Sequence, residues 1–218
     1  MAYRSAWSLF TTSKDAVLNN PLPFLTLVFL PSFLIVVGDA MNGGKSLSFP
    51  MTAKTAPESE ASQLVYLIGG LLSLLFIAAG FCLELKAAKG KTISASEALT
   101  SSMRYFWRLL GLLIVMTVVI VLGLLALIVP GIIFIQRYFL APYFLIDKDL
   151  GIRESMTASA AASKGKAGAI WSIIGVMVLF SLFSFIPIFG GLITLVLVTL
   201  FTCAPAYRYF ELTGKKTR

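Results

Sequence analysis

Long apolar blocks with charge confined to the stretches between them constrain this chain more than any other feature. Six blocks are legible, over residues 22–38, 63–85, 109–129, 131–146, 169–186 and 188–206. They are 16 to 23 residues long. At about 1.5 Å rise per residue the longer ones cross a hydrocarbon layer of about 30 Å as helices. The fourth block is short for that task and has to thin the bilayer or continue into the polar residues after it. Charged residues make up 13% of the chain, about half the roughly 25% of a soluble domain. A chain with so little polar surface is solvated by lipid, so the expected class is an all-α integral membrane protein.

Connections set the topology. Blocks three and four meet at Val129-Pro130-Gly131, and blocks five and six meet around Pro187, shortly before Gly190-Gly191. Both joints are tight and uncharged, which reads as helical hairpins with Pro130 and Gly131 as turn residues. Blocks one and two are joined by a longer polar loop over 39–62, rich in Gly, Ser, Thr and Pro. Of the 18 Lys and Arg residues, only Lys45 and Lys54 lie in these three connections, Arg137 lies inside block four, and the other 15 lie on the opposite side. Basic flanks face the cytoplasm. Six crossings as three hairpins, with both termini inside, satisfy this asymmetry. The first twenty residues carry Arg4, Lys14 and Asp15 without a continuous apolar core, so they do not read as a cleavable signal.

Three cytoplasmic stretches have helical periodicity of their own. In the first, Tyr3, Trp7, Phe10, Val17 and Leu18 recur near one face. In the second, Ser94-Ala95-Ser96-Glu97 matches a capping box. It opens a helix with Met103, Phe106, Trp107 and Leu110 on one side and Arg104 and Arg108 set to snorkel. The third, over 151–163, carries Ile152, Met156 and Ala160 on one side. These stretches read either as amphipathic helices in the membrane interface, with Trp7, Arg104, Trp107 and Arg108 touching lipid, or as extensions of the membrane helices. The order of interfacial helix then hairpin, three times over, suggests one membrane domain over 1–218 with a loose repeat over 3–88, 92–147 and 149–212. Ala141-Pro142-Tyr143 and Ala204-Pro205-Ala206-Tyr207 are its best internal match, and too short to separate duplication from chance.

Arg137 is the residue that most invites a site. It lies inside block four next to Gln136, and an ionisable group at membrane depth is costly and usually faces protein or water. The bundle interior is the favoured orientation, with Glu84, helix carbonyls loosened by Pro142, or a lipid phosphate as partner; the alternative is that Arg137 faces lipid and snorkels outward. Facing the interior, Arg137 either binds an anion or braces the packing. Glu84 pairs with Lys86 or with a basic group on a neighbouring helix, or is an interfacial charge. Asp147 and Asp149 flank Lys148; one of them is expected to cap the third amphipathic helix, since Asp is a favoured N-cap.

Several function classes are excluded. The chain has no histidine and only two cysteines, Cys82 and Cys203, each inside an apolar block. No catalytic triad, zinc spacing, phosphate loop or dinucleotide fingerprint is present. No catalytic residue, metal or cofactor is expected. The net charge of +8 sits at the ends of apolar blocks, so it points to anionic lipid and away from nucleic acid.

The stretch from Ile128 to Ser159, IVPGIIFIQRYFLAPYFLIDKDLGIRESMTAS, joins a Pro-Gly turn, an apolar run to Arg-Tyr, an Ala-Pro pair, an aspartate and an amphipathic helix. It resembles the YciC-like (UPF0259) bacterial six-helix membrane proteins, and the membrane domain attached to some glycerophosphodiester phosphodiesterases. The helix ending Phe106-Trp107-Arg108-Leu109-Leu110-Gly111 fits the same pattern. The resemblance implies an α-helical protein of a bacterial plasma membrane. It implies no reaction, because the phosphodiesterase chemistry of those fusions belongs to a separate soluble domain. The expected function is non-catalytic: organising lipid, or assisting a partner complex, with a protein partner and the oligomeric state left open. The alternative is a small transporter or channel for a lipid-like or small organic substrate, motivated by Gln136, Arg137 and the proline-broken block ends.

Overall fold

A computed structural model describes residues 3–33, 60–186 and 190–214. Helix α1 (Ala6–Leu18) opens on Ser5, whose hydroxyl accepts the Ser8 amide N–H. It turns by 101° into a helix over Pro21–Phe33, α2, with a π-turn at Leu25–Phe29. Helix α3 (Glu60–Ala88) closes in a Schellman turn: Gly90 takes a φ of 71°, and the Lys91 amide donates to the Lys86 carbonyl at 3.0 Å. Helix α4 (Ala95–Ala126) follows. Then come α5 (Ile128–Tyr138), α6 (Ala141–Lys148) and α7 (Ile152–Ser163). Helix α8 (Ala167–Leu182) turns 104° away from α7. It is followed by α9 (Gly190–Phe201) and α10 (Ala204–Thr213), which ends on Gly214 with a φ of 70°. Among the described residues there is no strand.

Among the described residues three helical stretches are long and apolar enough to cross a membrane: Ala95–Ala126, Ile128–Lys148 and Gly190–Thr213. The number rises to five if each right-angled pair is one span. The fourth block is thus lengthened at both ends, to 21 residues, and a bend at Phe139-Leu140 divides it. The far end of the first block, the loop through residue 59 and the turn at Pro187 lie outside the described residues.

Packing is concentrated at one end, here called the base, where α1, α6, α7 and α10 gather against the ends of α3, α4, α8 and α9. Leu9, Leu83, Phe144, Phe201, Tyr209 and Phe210 are all buried there in one apolar cluster. The other end is nearly bare. Only 17% of the most apolar stretch of α4 is buried, and Leu122, Leu125, Leu127, Ile128 and Val129 around the α4–α5 turn are exposed. Buried contacts hold the base, and the remaining apolar surface needs another apolar medium around it.

One open alternative is decided and one expectation is corrected. The second amphipathic stretch is not a separate helix. Ser94 caps as expected, accepting the Glu97 amide at 3.2 Å, but the helix then runs unbroken for 32 residues into the third block. No residue between Ser94 and Ala126 is proline, and Gly111, just inside the apolar block, packs under Ile152. The Glu97 carboxylate completes no box; it pairs with Lys86 at 2.6 Å. The hairpin turn is likewise earlier than Val129-Pro130-Gly131. It falls at Leu127, the extended residue between α4 and α5 (φ −163°, ψ 143°), which puts Pro130 and Gly131 inside the first turn of α5. Proline fits there because first-turn amides have no ladder partner. Glycine is needed for a different reason: a Cβ at Gly131 would run into the Leu124 side chain and lie 2.8 Å from its backbone nitrogen.

Candidate functional site

The two Ala-Pro pairs occupy the same structural position. Pro142 and Pro205 each stand near the start of a short helix that continues a membrane stretch after a two-residue break. A break of that kind leaves the last carbonyls of the preceding helix without regular ladder partners. In both cases the carbonyl five residues before the proline accepts a buried serine from a basal helix. Ser159 of α7 donates to the Arg137 carbonyl at 2.6 Å, and Ser13 of α1 donates to the Leu200 carbonyl at 2.7 Å. The Ser13 oxygen also accepts the Cys203 amide at 3.1 Å, so one hydroxyl spans the whole break.

Glu84 lies between the two breaks. It is 7% exposed. Its Oε2 accepts the Tyr143 hydroxyl of α6 at 2.6 Å, and its Oε1 accepts the Thr202 hydroxyl from the α9–α10 break at 2.9 Å. Neither pairing expected for Glu84 forms, because Lys86 points to Glu97. The Tyr143 ring packs edge-on to Phe81 and stacks on Tyr209 at 6.0 Å between centroids. Tyr209 donates to Asp147 at 2.7 Å, and Asp147 pairs with Lys89 at 2.7 Å. A polar seam therefore runs from Thr202 through Glu84, Tyr143, Tyr209 and Asp147 to Lys89. It ties α3, α6 and α10 together.

Two ion-pair clusters flank the seam. Asp149 holds Arg104 at 2.9 Å and Arg108 at 2.8 Å, one on each carboxylate oxygen. Asp149 closes α6 in the left-handed region, with φ 51°. The aspartates therefore do not cap α7. Its N-cap is Gly151, whose amide donates to the Glu154 carboxylate at 3.2 Å. On the far side Arg208, 1% exposed, donates to Glu211 at 2.7 Å and to the Arg4 carbonyl and Ser172 hydroxyl at 3.1 Å each. Among the described residues no group of acids and cysteines has a metal-binding arrangement.

Arg137 does not face the interior. Its side chain is exposed and Gln136 is half-buried; what reaches inward is the Arg137 carbonyl, taken by Ser159. In α7 the fully buried residues are the serines 155, 159 and 163; Ile152, Met156 and Ala160 are half-buried, with Ile152 and Met156 packed against a cluster that includes Leu109, Leu112 and Leu145. In α1 the buried residues are Leu9, Ser13, Ala16 and Val17; of the periodic set Val17 is buried, Phe10 is half-buried, and Tyr3, Trp7 and Leu18 are exposed. Sequence reading missed Ser13, Tyr143, Ser159, Thr202 and Arg208. The signal for the serines was available: a proline inside a membrane helix strands a carbonyl, and a serine buried in a neighbouring helix is the natural donor to it.

All three tryptophans are exposed and all adjoin this base. Trp7 and Trp107 are each 73% exposed and Trp171 is 37% exposed. Trp7 is three residues from Arg4, Trp107 precedes Arg108, and Trp171 precedes Ser172, so each neighbours a residue of the basal polar network. Tryptophan with basic neighbours is the signature of a membrane–water interface.

The profile of a family described as "Uncharacterised protein family (UPF0259)" matches residues 50–203. A UPF0259 membrane protein of Yersinia pestis (strain Pestoides F) is 31% identical over 148 residues, covering 65% of this chain and 54% of that protein. One from Yersinia pseudotuberculosis serotype O:1b (strain IP 31758) aligns with the same figures. The chain thus spans about half the length of the curated relatives it matches. No solved structure matches it.

Proposed function

The chain belongs to the uncharacterised UPF0259 family of membrane proteins, and from that membership and the belt at its base we propose that it is a non-catalytic, multi-pass protein of the bacterial plasma membrane that gathers anionic lipid at its cytoplasmic face. In this reading α2, α3, α4, α5–α6, α8 and α9–α10 are six crossings. The right-angled helices α1 and α7 lie along the membrane surface, and both termini are cytoplasmic. The 101° and 104° bends favour that arrangement, as does the confinement of basic residues to one side of the apolar blocks. A likeness to the membrane domain of glycerophosphodiester phosphodiesterases, and a role as accessory to a partner complex, belong to the same proposal.

One observation carries the lipid assignment: Trp7, Trp107 and Trp171 stand exposed around a base that also exposes Arg104, Arg108, Arg137 and Lys164. Indole rings at headgroup depth set the height of the protein, and guanidinium and ammonium groups beside them meet lipid phosphates. Native mass spectrometry of the detergent-released protein tests it. Phosphatidylglycerol or cardiolipin is retained over phosphatidylethanolamine, and the double variant R104E/R108E loses that preference. Equal retention of anionic and zwitterionic lipid by the wild type contradicts the reading.

A small transporter for a lipid-like or organic substrate is the second reading. Arg137, exposed on the surface, gives it no support. Glu84 does, because it sits at the break between α9 and α10, and discontinuous helices commonly carry transporter binding groups. Uptake into proteoliposomes distinguishes the two readings.

A further inference from the structure

We infer that Glu84, with the hydroxyls of Tyr143 and Thr202, is a binding site for one small monovalent cation, taken up as a proton or as sodium. This stands apart from the lipid reading, since the site is interior and the lipid belt is outside.

Charge accounting within the base points to it. Asp147 is paired with Lys89, Glu211 with Arg208 and Arg4, Asp149 with Arg104 and Arg108, and Glu97 with Lys86. Glu84 is buried too, yet among the described residues it forms no ion pair. Its only hydrogen-bond partners there are two neutral hydroxyls. A buried carboxylate without a counter-charge is costly and is found with a cation or a proton. The surroundings supply no fixed one. On its own helix Lys86 is turned to Glu97, and Cys82 is buried. From α6 it faces Tyr143, and from the α9–α10 break Thr202 and the buried Cys203. Lys89, Asp147 and Arg208 are engaged with one another or with Glu211, while Lys14 and Asp15 of α1 lie toward the surface.

The partners also suit a charge that comes and goes. A hydroxyl donates to a carboxylate and accepts from a carboxylic acid, so Tyr143 and Thr202 satisfy Glu84 in either state without moving a heavy atom. The same oxygens are the hard ligands an alkali cation takes. An arginine or lysine in their place would fix the site in one state. Because Glu84 touches both α6 and the α9–α10 break, its occupancy bears on both of the proline-broken stretches at once.

The experiment uses full-length protein in lipid nanodiscs, with glutamate labelled by carbon-13 at the side-chain carboxyl. Infrared spectra are recorded across mildly acidic to mildly alkaline pH in potassium buffer, and binding of radioactive sodium is measured in parallel. If the occupant is a proton, the wild type shows the carbonyl band of an un-ionised carboxylic acid that E84Q lacks. If it is sodium, the wild type binds sodium and E84Q does not. Should E84Q fail to fold, Y143F keeps the ring contacts and removes one hydroxyl, and it shifts the band or weakens sodium binding. Permanently ionised carboxylate bands with no sodium bound overturn the inference, as does a band or binding unchanged in E84Q and Y143F.

Discussion

Ser13 on α1 donates its hydroxyl proton to the carbonyl of Leu200, 187 residues further along the chain, at 2.7 Å. That bond and the one returned by the Cys203 amide fasten the basal helix to the α9–α10 break. Ser13→Ala strands two buried backbone groups, and each unsatisfied group costs about 1–3 kcal/mol. Chemical unfolding in mixed micelles should show a loss of about 2–6 kcal/mol for Ser13→Ala. Ser159→Ala removes the 2.6 Å bond to the Arg137 carbonyl but leaves Ser163 at 3.5 Å from it, and should show a smaller loss, about 1 kcal/mol. Ser155→Ala is the control, because its hydroxyl donates only to the carbonyl of Gly151 one turn back; its cost should be a fraction of the others.

Gly131→Val should open the α4–α5 hairpin, since the new side chain would occupy the place of Leu124. Overpacking of this kind costs about 1–3 kcal/mol. Gly175→Ala on α8 meets nothing within 4 Å, and should be neutral or stabilising by up to about 1 kcal/mol, the helix-propensity difference. Melting curves of the two variants in the same detergent check the pair.

Asp147 and Asp149 are two residues apart and should behave unlike each other. The Asp147 side chain is 1% exposed and that of Asp149 is 42% exposed. Asp147→Ala leaves Lys89 and Tyr209 without their partner. Because Lys89 reaches solvent, its cost should sit at the low end of the roughly 3–5 kcal/mol of a broken buried pair. Asp149→Asn keeps the left-handed backbone tolerable and should cost no more than about 1 kcal/mol. It also releases Arg104 and Arg108, so vesicles rich in phosphatidylglycerol should bind the purified variant more strongly than the wild type. Weaker binding by Asp149→Asn would mean that the clamp presents the arginines to lipid.

What the sequence made legible follows the range of the interaction. The apolar blocks, the Ser94 cap and the breaks at the Ala-Pro pairs are set by neighbours within a turn or two, and each is visible in the residues themselves. The side of α5 that Arg137 occupies depends on Ser159 of α7, and the role of Glu84 depends on a tyrosine 59 residues away and a threonine 118 residues away. Periodicity marked Ile152, Met156 and Ala160 as one side of α7 because it weighs hydrophobicity. The fully buried positions are three serines, and two of them, Ser159 and Ser163, meet a carbonyl of the neighbouring helix, which only a donor can satisfy. The second amphipathic stretch was legible as a helix, and its fusion with the apolar block after it was one of two readings that the residues left open. Whether a helix bends at the interface depends on a breaker, and none stands between Met103 and Gly111.

The central claim, that the polar base lies on the cytoplasmic side of a six-crossing bundle, is tested most directly by cysteine accessibility in intact cells. The background is a variant with Cys82 and Cys203 replaced. Single cysteines at Ser46 and Glu60 should react with a membrane-impermeant maleimide added outside, whereas Arg153→Cys on α7 and Lys215→Cys should react only after the cells are opened. Labelling of Arg153→Cys or Lys215→Cys from outside would contradict the account.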